Sequence, residues 1–410
     1  MFEVRTTCRS CGGGNLKQVL DLGNQPLVNS LLASKDAPED TYPLTLVWCP
    51  NCTLVQIRET VDPEKLFSHY VYFSSQSKTM VESARNCVDD VIEQEKLGKN
   101  SFVMELASND GYLLQHYRNA GIPHVGVDPA KNVAEEANRN GIRTLPEFFT
   151  AEFAKQFEGQ VDVLHANNVL AHVADTLGFV EGIATVLRPN GVAVIEVPYI
   201  GSLIDNAEFD TIYHEHLCYF SVYSMSRLLN QKGLTIQRVE SLPIHGGSIR
   251  VFARKQGSVF SRHPDVWTLL DEEAKRGFYK ESYYSNFQWR VDDMMELFWE
   301  RMKTYSFFYG PIACYGAAAK GNTRLNYPHP DYAKYILSFV ADSTPAKQGL
   351  FTPGMRLEVV SPEKFREANP PVALILAWNF ADEIAKKEQA YTRSGGIFLV
   401  PDEKKGIRQL

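Results

Sequence analysis

The sequence predicts an α/β protein in three parts: a four-cysteine N-terminal module, a central doubly wound parallel sheet and a smaller C-terminal α/β domain. Three observations predict this fold class. Four of the seven cysteines form two C-x2-C pairs within the first 52 residues. Short apolar runs alternate with helical stretches from about residue 80, and a second such series begins near residue 312. We expect the three parts to span residues 1–75, 76–260 and 261–410.

The cysteine pairs predict a structural zinc site. Cys8 and Cys11 form one pair, and Cys49 and Cys52 form the other. A C-x2-C turn brings two thiolates to one tetrahedral ion, and two such turns complete its ligand set with no open position for chemistry. The alternative is a set of free or redox-active thiols.

The order of the remaining elements predicts a parallel sheet, because strands and helices alternate with short connections. After a helix at 80–97, the sequence predicts strands at 101–107, 124–127, 161–166 and 191–197, with helices at 112–120, 132–140 and 176–187. A helix at 225–232 and strands at 235–241 and 248–254 follow. A charged helical connector covers 265–305, before strands at 312–315, 337–341, 373–376 and 396–400.

Composition narrows the class of protein. At 410 residues the chain is too long for a single ordinary core, and its apolar and charged fractions of 44% and 22% are those of a soluble globular protein. A net charge of −7 argues against nucleic acid as a partner. No apolar run is long enough to span a membrane, and the N-terminus lacks the apolar core of a signal peptide. We therefore expect a cytoplasmic protein, with a monomer as the working assumption.

Three polar segments at strand ends predict a nucleoside site. They comprise the turn that contains Glu105, Ala107, Asn109 and Gly111, the acidic residue Asp128 after the second core strand, and Asn167 and Asn168 after the third. Small residues let the backbone approach a nucleoside, and an acid at the second position can accept both ribose hydroxyls. The set indicates S-adenosylmethionine. The alternative is a generic Rossmann-like core in which these polar groups only form turns.

At this point the residues carry a family resemblance. The segments CRSC, CPNC, ELASNDGYLL, GVDPAKNVAE, NNVLAHVAD, YHEHLCYFS, HGGSIR and YGAAAKGNT occur in this order over essentially the whole chain. Together they resemble the bacterial sugar C-methyltransferases, which act on nucleotide-linked keto-deoxysugars. The resemblance implies a zinc module, a central class I (Rossmann-like) methyltransferase domain and a C-terminal Rossmann-like domain that helps to bind the nucleotide sugar.

Methylation at carbon needs a base to remove a proton next to a ketone, and a group that polarises the ketone oxygen. The segment 213–216 is the place to look for them. By resemblance His216 is the general base, and Glu215 and Tyr213 support base and substrate. His214 is a second histidine in the same segment, so adjacency alone does not identify the base. The alternative is a polar helix start with two exposed histidines.

Two further catalytic candidates follow from the resemblance. His172 lies after the third core strand, where ligands bind in such sheets, and is expected to act as an acid/base or oxyanion partner. A purely structural histidine is the alternative. Tyr72 is expected to lie over the active site and is preferred to Tyr70, although both could simply be a packed aromatic pair.

The substrate candidates lie in two glycine-rich segments. Lys320 and Asn322 follow a predicted strand in the C-terminal domain, where small residues and a point charge suit a diphosphate. Ser248 and Arg250 are expected to reach the substrate from the core, and Arg250 suits a phosphate. The alternative for Arg250 is a surface salt bridge.

These expectations together predict S-adenosylmethionine-dependent C-methylation of a dTDP-, GDP- or CDP-linked 4-keto-6-deoxyhexose, at C3 in preference to C5. Two alternatives remain open from the sequence. One is O- or N-methylation of a nucleotide sugar, which needs a base but no acidic C–H. The other is a non-catalytic protein that binds a sugar nucleotide.

Overall fold

The computed structural model describes residues 2–67, 73–327 and 330–410. Within this part of the chain, no helix has the length and apolar character that crossing a bilayer requires. Three main sheets, one in each part of the chain, organise the fold.

The N-terminal part is built from short antiparallel strands. They are β1 (Phe2–Val4), β2 (Lys17–Pro26), β3 (Thr41–Trp48), β4 (Val55–Ile57) and β5 (Glu59–Val61), followed by helix α1 (Pro63–Phe67). β1 pairs with β5, whereas β2, β3 and β4 form a second sheet. The two cysteine pairs lie in turns beside these strands, at the end of β1 and between β3 and β4.

The central part is a seven-stranded sheet covered by helices. Its first half contains α2 (Lys78–Glu95), β6 (Val103–Leu106), α3 (Leu114–Asn119), β7 (His124–Val127), α4 (Lys131–Arg139), β8 (Thr144–Leu145), α5 (Ala151–Ala154) and β9 (Val161–Asn167). Its second half contains α6 (Thr176–Val186), β10 (Leu187–Pro198), α7 (Ile200–Asp205), β11 (Cys218–Tyr219), α8 (Val222–Asn230), β12 (Leu234–Leu242) and β13 (Ser248–Lys255). The strand order is β12-β13-β10-β9-β6-β7-β8, in which β13 is antiparallel to both of its neighbours and the other pairs are parallel.

The order in which the chain adds strands to the sheet reverses between β6 and β9, which are themselves parallel. From β6 the chain builds outward through β7 to β8, and it then returns to β9 and β10 on the other side of β6. In open α/β sheets, ligands bind at the carboxyl ends of the strands beside such a switch point. The loops after β6, β7 and β9 therefore meet at one edge of the sheet.

The C-terminal part is a second α/β unit. Two long helices, α9 (Pro264–Arg276) and α10 (Phe287–Tyr309), lead into β14 (Ile312–Tyr315), α11 (Ala319–Asn326), α12 (Ala333–Ile336), β15 (Leu337–Ala341), β16 (Glu358–Val360) and α13 (Pro362–Ala368). The remaining elements are β17 (Val372–Ile375), α14 (Ala381–Lys387), α15 (Gln389–Arg393), β18 (Ile397–Asp402) and β19 (Gly406–Gln409). The strand order is β16-β15-β14-β17-β18-β19, and only the β18–β19 pair is antiparallel.

The three parts share backbone contacts. β11, which follows the predicted catalytic segment, pairs with β4 of the N-terminal sheet. Leu32 forms an isolated antiparallel bridge with Phe351, and the Gln25 amide donates to the carbonyl of Asn326. The N-terminal part therefore packs against both other parts, and the segment 213–216 lies where it meets the core.

The predicted fold class is confirmed, and the predicted core elements match the observed ones to within a few residues. The predicted connector at 265–305 proves to be the two helices α9 and α10. The boundaries of the three parts stay a prediction.

Candidate active site

The four cysteines of the two pairs come together in space. Their Sγ atoms all lie within 4.8 Å of one another, with 3.5 Å between Cys8 and Cys52 and between Cys11 and Cys49. None of them forms a disulfide. Each pair is closed by backbone hydrogen bonds, from Gly12 to Cys8 and from Thr53 to Cys49. Four converging thiols in two tight turns fit a tetrahedral zinc ion.

A cavity of about 900 Å³ opens at the carboxyl edge of the central sheet. Its wall is assembled from all three parts of the chain, including Asp62 of the N-terminal part and Lys320 and Phe380 of the C-terminal part. A volume of this size lies at the upper end of small-molecule sites. The cavity can therefore take a nucleoside cofactor and part of a second ligand.

The turn after β6 forms one wall of this cavity. Ala107 and Asn109 both have positive φ angles, of 53° and 51°, which non-glycine residues rarely adopt. The Asn109 side chain stabilises the turn, because its Oδ1 accepts hydrogen bonds from the backbone N–H groups of Ser74 and Asp110. The turn thus presents backbone, rather than bulky side chains, to the cavity.

Asp128 follows β7 and lies beside this turn. Its Oδ2 accepts from the backbone N–H of Asn109 at 2.8 Å, and its Oδ1 accepts from that of Ala130 at 2.9 Å. Burial raises the pKa of the carboxyl group to about 6, although these two hydrogen bonds oppose the change. Each carboxylate oxygen has a further lone pair, so Asp128 can still accept the two hydroxyls of a ribose.

The loop after β9 forms the opposite wall. Asn168 has a φ of 54°, and its amide donates to Oε1 of Glu196 on β10 at 3.3 Å. Oδ1 of its neighbour Asn167 is buried on the cavity wall and has no hydrogen-bond partner among the described residues. A buried acceptor without a partner is costly, so it fits a site that a ligand donor completes.

His172 lines the cavity next to this loop. Burial lowers the pKa of its imidazole to about 4, while hydrogen bonds with the backbone of Glu215 and Asn168 oppose the change. The ring is therefore neutral near pH 7. Its centroid lies 4.7 Å from that of His216, in an edge-to-face arrangement.

His216 is held at both ring nitrogens. Nδ1 lies 2.9 Å from the carbonyl oxygen of Thr211, and Nε2 lies 2.8 Å from the hydroxyl of Tyr213. Because a carbonyl only accepts, Nδ1 carries the proton of the neutral ring, and Nε2 accepts from the tyrosine. Thr211, Tyr213 and His216 all line the cavity. The arrangement therefore keeps a basic nitrogen on the wall.

The comparisons with known proteins agree with this site. Family models match in order along the chain: a domain described as zinc binding over residues 8–67, a methyltransferase domain over 82–239 and a C-methyltransferase C-terminal domain over 243–401. The chain is also 35% identical to C-methyltransferase NovU of Streptomyces niveus over 399 residues, which are 96% of this chain and 94% of that protein. The chain belongs to the bacterial C-methyltransferase family.

This C-methyltransferase depends on S-adenosylmethionine and has an N-terminal zinc-binding domain. Two solved methyltransferases each overlap less than half of the chain. Magnesium protoporphyrin IX methyltransferase of Synechocystis PCC 6803 is 13% identical, with 43% of this chain and 83% of that chain covered and a TM-score of 0.35. A methyltransferase of Archaeoglobus fulgidus is 14% identical, with 42% and 94% covered and a TM-score of 0.34. These two overlaps are too weak to support an inference.

Most of the residues predicted for cofactor binding line the cavity of the C-methyltransferase, namely Ala107, Asn109, Asp128, Asn167 and Asn168. Two predicted residues are not part of this wall. Glu105 is enclosed within β6, where burial raises its pKa well above the usual range. Gly111 packs against Ile142, where an added Cβ would lie 2.5 Å from Cδ1. Contact of the cofactor with Glu105 and Gly111 stays a prediction.

Some of the residues predicted to be catalytic line the cavity, and others do not. Tyr213, His216 and His172 line the cavity. Glu215 is buried behind it, where its Oε1 accepts from the amide of Asn29 at 2.7 Å, and burial raises its pKa to about 7. This carboxyl group joins the segment 213–216 to the N-terminal part and is not part of the cavity wall. Tyr72 lies outside the described residues.

The second histidine of the segment is structural. Nε2 of His214 lies 3.0 Å from the carbonyl oxygen of Pro43, and its ring packs edge-on against Tyr42. The side chain is buried on the side of the N-terminal sheet and is not part of the cavity wall. The geometry thus separates two histidines that the sequence could not distinguish.

Three of the four residues predicted for substrate binding lie outside the cavity wall. Arg250 is only 7% exposed and is paired with Glu196 at 2.9 Å and with Glu240 at 3.4 Å, so its charge is already neutralised within the sheet. The Ser248 hydroxyl donates to Ile244, and the Asn322 amide donates to Pro353. None of the three lines the cavity. Each instead has its partner within the fold.

Lys320 alone of these four lies on the cavity wall, with its ammonium group 4.2 Å from the ring centroid of Trp378. Sequence reasoning missed Glu208, Thr211 and Tyr199, which also line the cavity. No motif marks them, although Tyr199 and Glu208 each directly precede a helical element after β10 and Thr211 ends the helical turn Phe209–Thr211. Only their position just upstream of the segment 213–216 could have drawn attention to them.

Proposed function

We propose that this C-methyltransferase transfers a methyl group to C3 of a nucleotide-linked 4-keto-6-deoxyhexose, with His216 as the base that removes the proton beside the ketone. The observation that carries the proposal is the fixed His216–Tyr213 pair on the wall of a cavity that also contains the nucleoside turn and Lys320. The resemblance to sugar C-methyltransferases supplies the substrate class.

The cofactor end is formed by the turn after β6 and by Asp128. Backbone at Ala107 and Asn109 would approach the nucleoside, and the Asp128 carboxylate would accept the ribose hydroxyls. The buried Oδ1 of Asn167 would accept from a donor on the same ligand. When bound, S-adenosylmethionine supplies an electrophilic methyl group on its sulfonium.

The proton leaves the substrate carbon toward Nε2 of His216, once the Tyr213 hydroxyl has given up its hydrogen bond to that nitrogen. The electron pair of the broken C–H bond would pass into the enolate, whose carbon would then bond to the methyl group supplied by bound S-adenosylmethionine, with the S–CH3 electron pair remaining on the sulfur. The carbonyl of Thr211 holds the opposite side of the ring, so the imidazolium that forms keeps one hydrogen-bond partner. A base held in one orientation at hydrogen-bond distance meets the geometric requirement for this step.

His172 is suited to the enolate oxygen. Since burial lowers its pKa to about 4, it is a neutral donor at pH 7. It can therefore stabilise a developing oxyanion without repelling the imidazolium of His216. Lys320, from the opposite domain, would hold the diphosphate of the nucleotide as a point charge.

The test measures proton removal by the base in the absence of the cofactor, so that it does not depend on methyl transfer. The enzyme is incubated without S-adenosylmethionine, in D2O, with the 4-keto-6-deoxyhexose nucleotide, and exchange of the C3 proton is followed by NMR. We expect rapid exchange in the natural protein and at least a hundredfold loss in His216→Ala. His214→Ala is the matched control, because it removes the adjacent histidine outside the cavity. Undiminished exchange in His216→Ala would overturn the assignment of the base.

A second measurement locates the product methyl group. With isotopically labelled S-adenosylmethionine, the new methyl carbon should be bonded to C3 of the hexose. A methyl group on oxygen or nitrogen, or at C5, would overturn the proposed reaction.

A further inference from the structure

Glu208 is a cavity residue that the proposed reaction does not yet use. It lies immediately before the helical turn Phe209–Thr211 and contributes to the cavity wall. The backbone N–H and the hydroxyl of Thr211 both donate to the carbonyl oxygen of Glu208, at 3.1 and 2.8 Å. Because the carbonyl of Thr211 in turn holds His216, Glu208 is fixed within one turn of the contact that orients the base.

The other neighbour of Glu208 belongs to the C-terminal domain. The ammonium of Lys320 lies on the same cavity wall and interacts electrostatically with the Glu208 carboxylate. Glu208 is thus connected to the base on one side and to the predicted diphosphate residue on the other. In a nucleotide sugar, the hexose is bonded to the diphosphate and contains the reacting carbon. A substrate that contacts both Lys320 and His216 would therefore place its hexose ring between them.

The two glycines of the HGGSIR segment have a packing role beside this carboxylate. A Cβ on Gly246 would lie 2.3 Å from Oε2 of Glu208 and 2.8 Å from Cη2 of Trp378. Gly246 and Gly247 also have φ values of +94° and +128°, which side chains disfavour. The glycines therefore let the loop close over Glu208, and Gly247 itself lines the cavity.

The carboxylate is held in a defined orientation. The Asn206 amide donates to Oε1 of Glu208 at 3.0 Å. The side chain is half-buried, and this burial raises the pKa of Glu208 to about 7. A hydrogen-bond donor on the ligand stabilises a carboxyl group in such surroundings more than it stabilises a carboxyl group in water.

We propose that Glu208 recognises the hexose by accepting a hydrogen bond from one of its O–H or N–H groups. This inference rests on the proposed function, because the sugar must lie between His216 and Lys320. It makes Glu208 a specificity-determining residue that distinguishes sugars with a hydrogen-bond donor at one ring position from their deoxy counterparts.

The experiment compares matched substrates. We measure kcat/KM for pairs of 4-keto-6-deoxyhexose nucleotides that differ by one hydroxyl group, and for analogues in which an amino group replaces it. The natural protein should prefer the donor-bearing sugar about tenfold to a hundredfold at one position. In Glu208→Gln this preference should fall at least tenfold, since Oε1 must still face Asn206 and the new amide turns a donor toward the sugar. Glu208→Ala should have the same effect.

Two controls make the result specific. Glu147→Gln changes another acidic residue of the cavity wall and should leave the preference at its natural value. Thermal unfolding of each variant shows that the fold is retained. A preference that is the same in Glu208→Gln, Glu208→Ala and the natural protein would overturn the inference. If the natural protein methylates none of the sugars, the proposed function fails instead.

Discussion

Arg324 of the C-terminal domain forms an ion pair with Asp210 of the core that is almost completely buried. Nη2 and Nε of Arg324 lie 2.8 and 3.0 Å from Oδ2 of Asp210, and the two side chains are 5% and 0% exposed. The indole N–H of Trp378 donates to the same oxygen at 2.9 Å. Asp210 precedes Thr211, whose carbonyl orients His216. The C-terminal domain therefore stabilises the turn that positions the proposed base.

Arg324→Met should weaken both stability and turnover. The variant leaves the Asp210 carboxylate buried without its charged partner, which costs about 3–5 kcal/mol in comparable buried pairs. Chemical denaturation and the rate of methyl transfer would measure the two effects. The matched control is Arg139→Met, which removes an exposed pair with Glu136 and should cost less than about 1 kcal/mol. Equal losses in the two variants would contradict the role of the buried pair.

Removal of zinc should unfold the N-terminal domain. Metal analysis should give about one zinc per chain, and Cys49→Ser should lower it because three thiolates hold the ion more weakly. We also expect lower turnover, since β4 of this domain pairs with β11 next to His216. Cys87→Ala, at a buried thiol outside the cluster, should retain the metal. A folded and active protein without zinc would contradict the four-thiolate site.

Tyr213→Phe should slow proton abstraction without loss of fold. The variant keeps the ring but removes the hydroxyl that orients the His216 imidazole before the substrate binds, so we expect at least tenfold slower exchange of the C3 proton in D2O. Tyr219→Phe is the control, because its hydroxyl donates to the same Thr211 carbonyl at 3.3 Å but lies outside the cavity wall. Equal exchange rates in Tyr213→Phe and the natural protein would show that the hydroxyl is dispensable.

The affinity for S-adenosylmethionine should fall in mild acid. Burial raises the pKa of Asp128 to about 6, so the carboxylate that we propose accepts the ribose hydroxyls is mostly ionised at pH 7 and mostly protonated at pH 5. The dissociation constant should therefore rise about tenfold between these pH values. Calorimetric titration would measure it. Asp128→Asn should bind weakly, with little change over the same range, and an equally steep change in that variant would assign the titration to another group.

Much of this protein could be predicted from local patterns. The order of strands and helices, the two cysteine turns and the cofactor residues at strand ends are properties of short segments, whose hydrophobic period and turn residues are visible in the sequence. Arg250 and Asn322 lie outside the cavity wall for a common reason. A charged or amide side chain in a glycine-rich segment has the chemistry to bind a phosphate, but its partner within the fold decides whether it does. Glu196 and Pro353 lie far away in the sequence.

The sequence by itself determined that this is a three-part α/β methyltransferase with a four-cysteine metal module, because periodicity, turn chemistry and C-x2-C spacing act over a few residues. Only the tertiary structure decided which histidine of the segment 213–216 faces the cavity. His214 is bound to the N-terminal sheet, whereas His216 is fixed between Thr211 and Tyr213 on the cavity wall. The physical reason is that burial and hydrogen-bond partners depend on contacts between distant segments, which neighbouring residues in the chain do not specify.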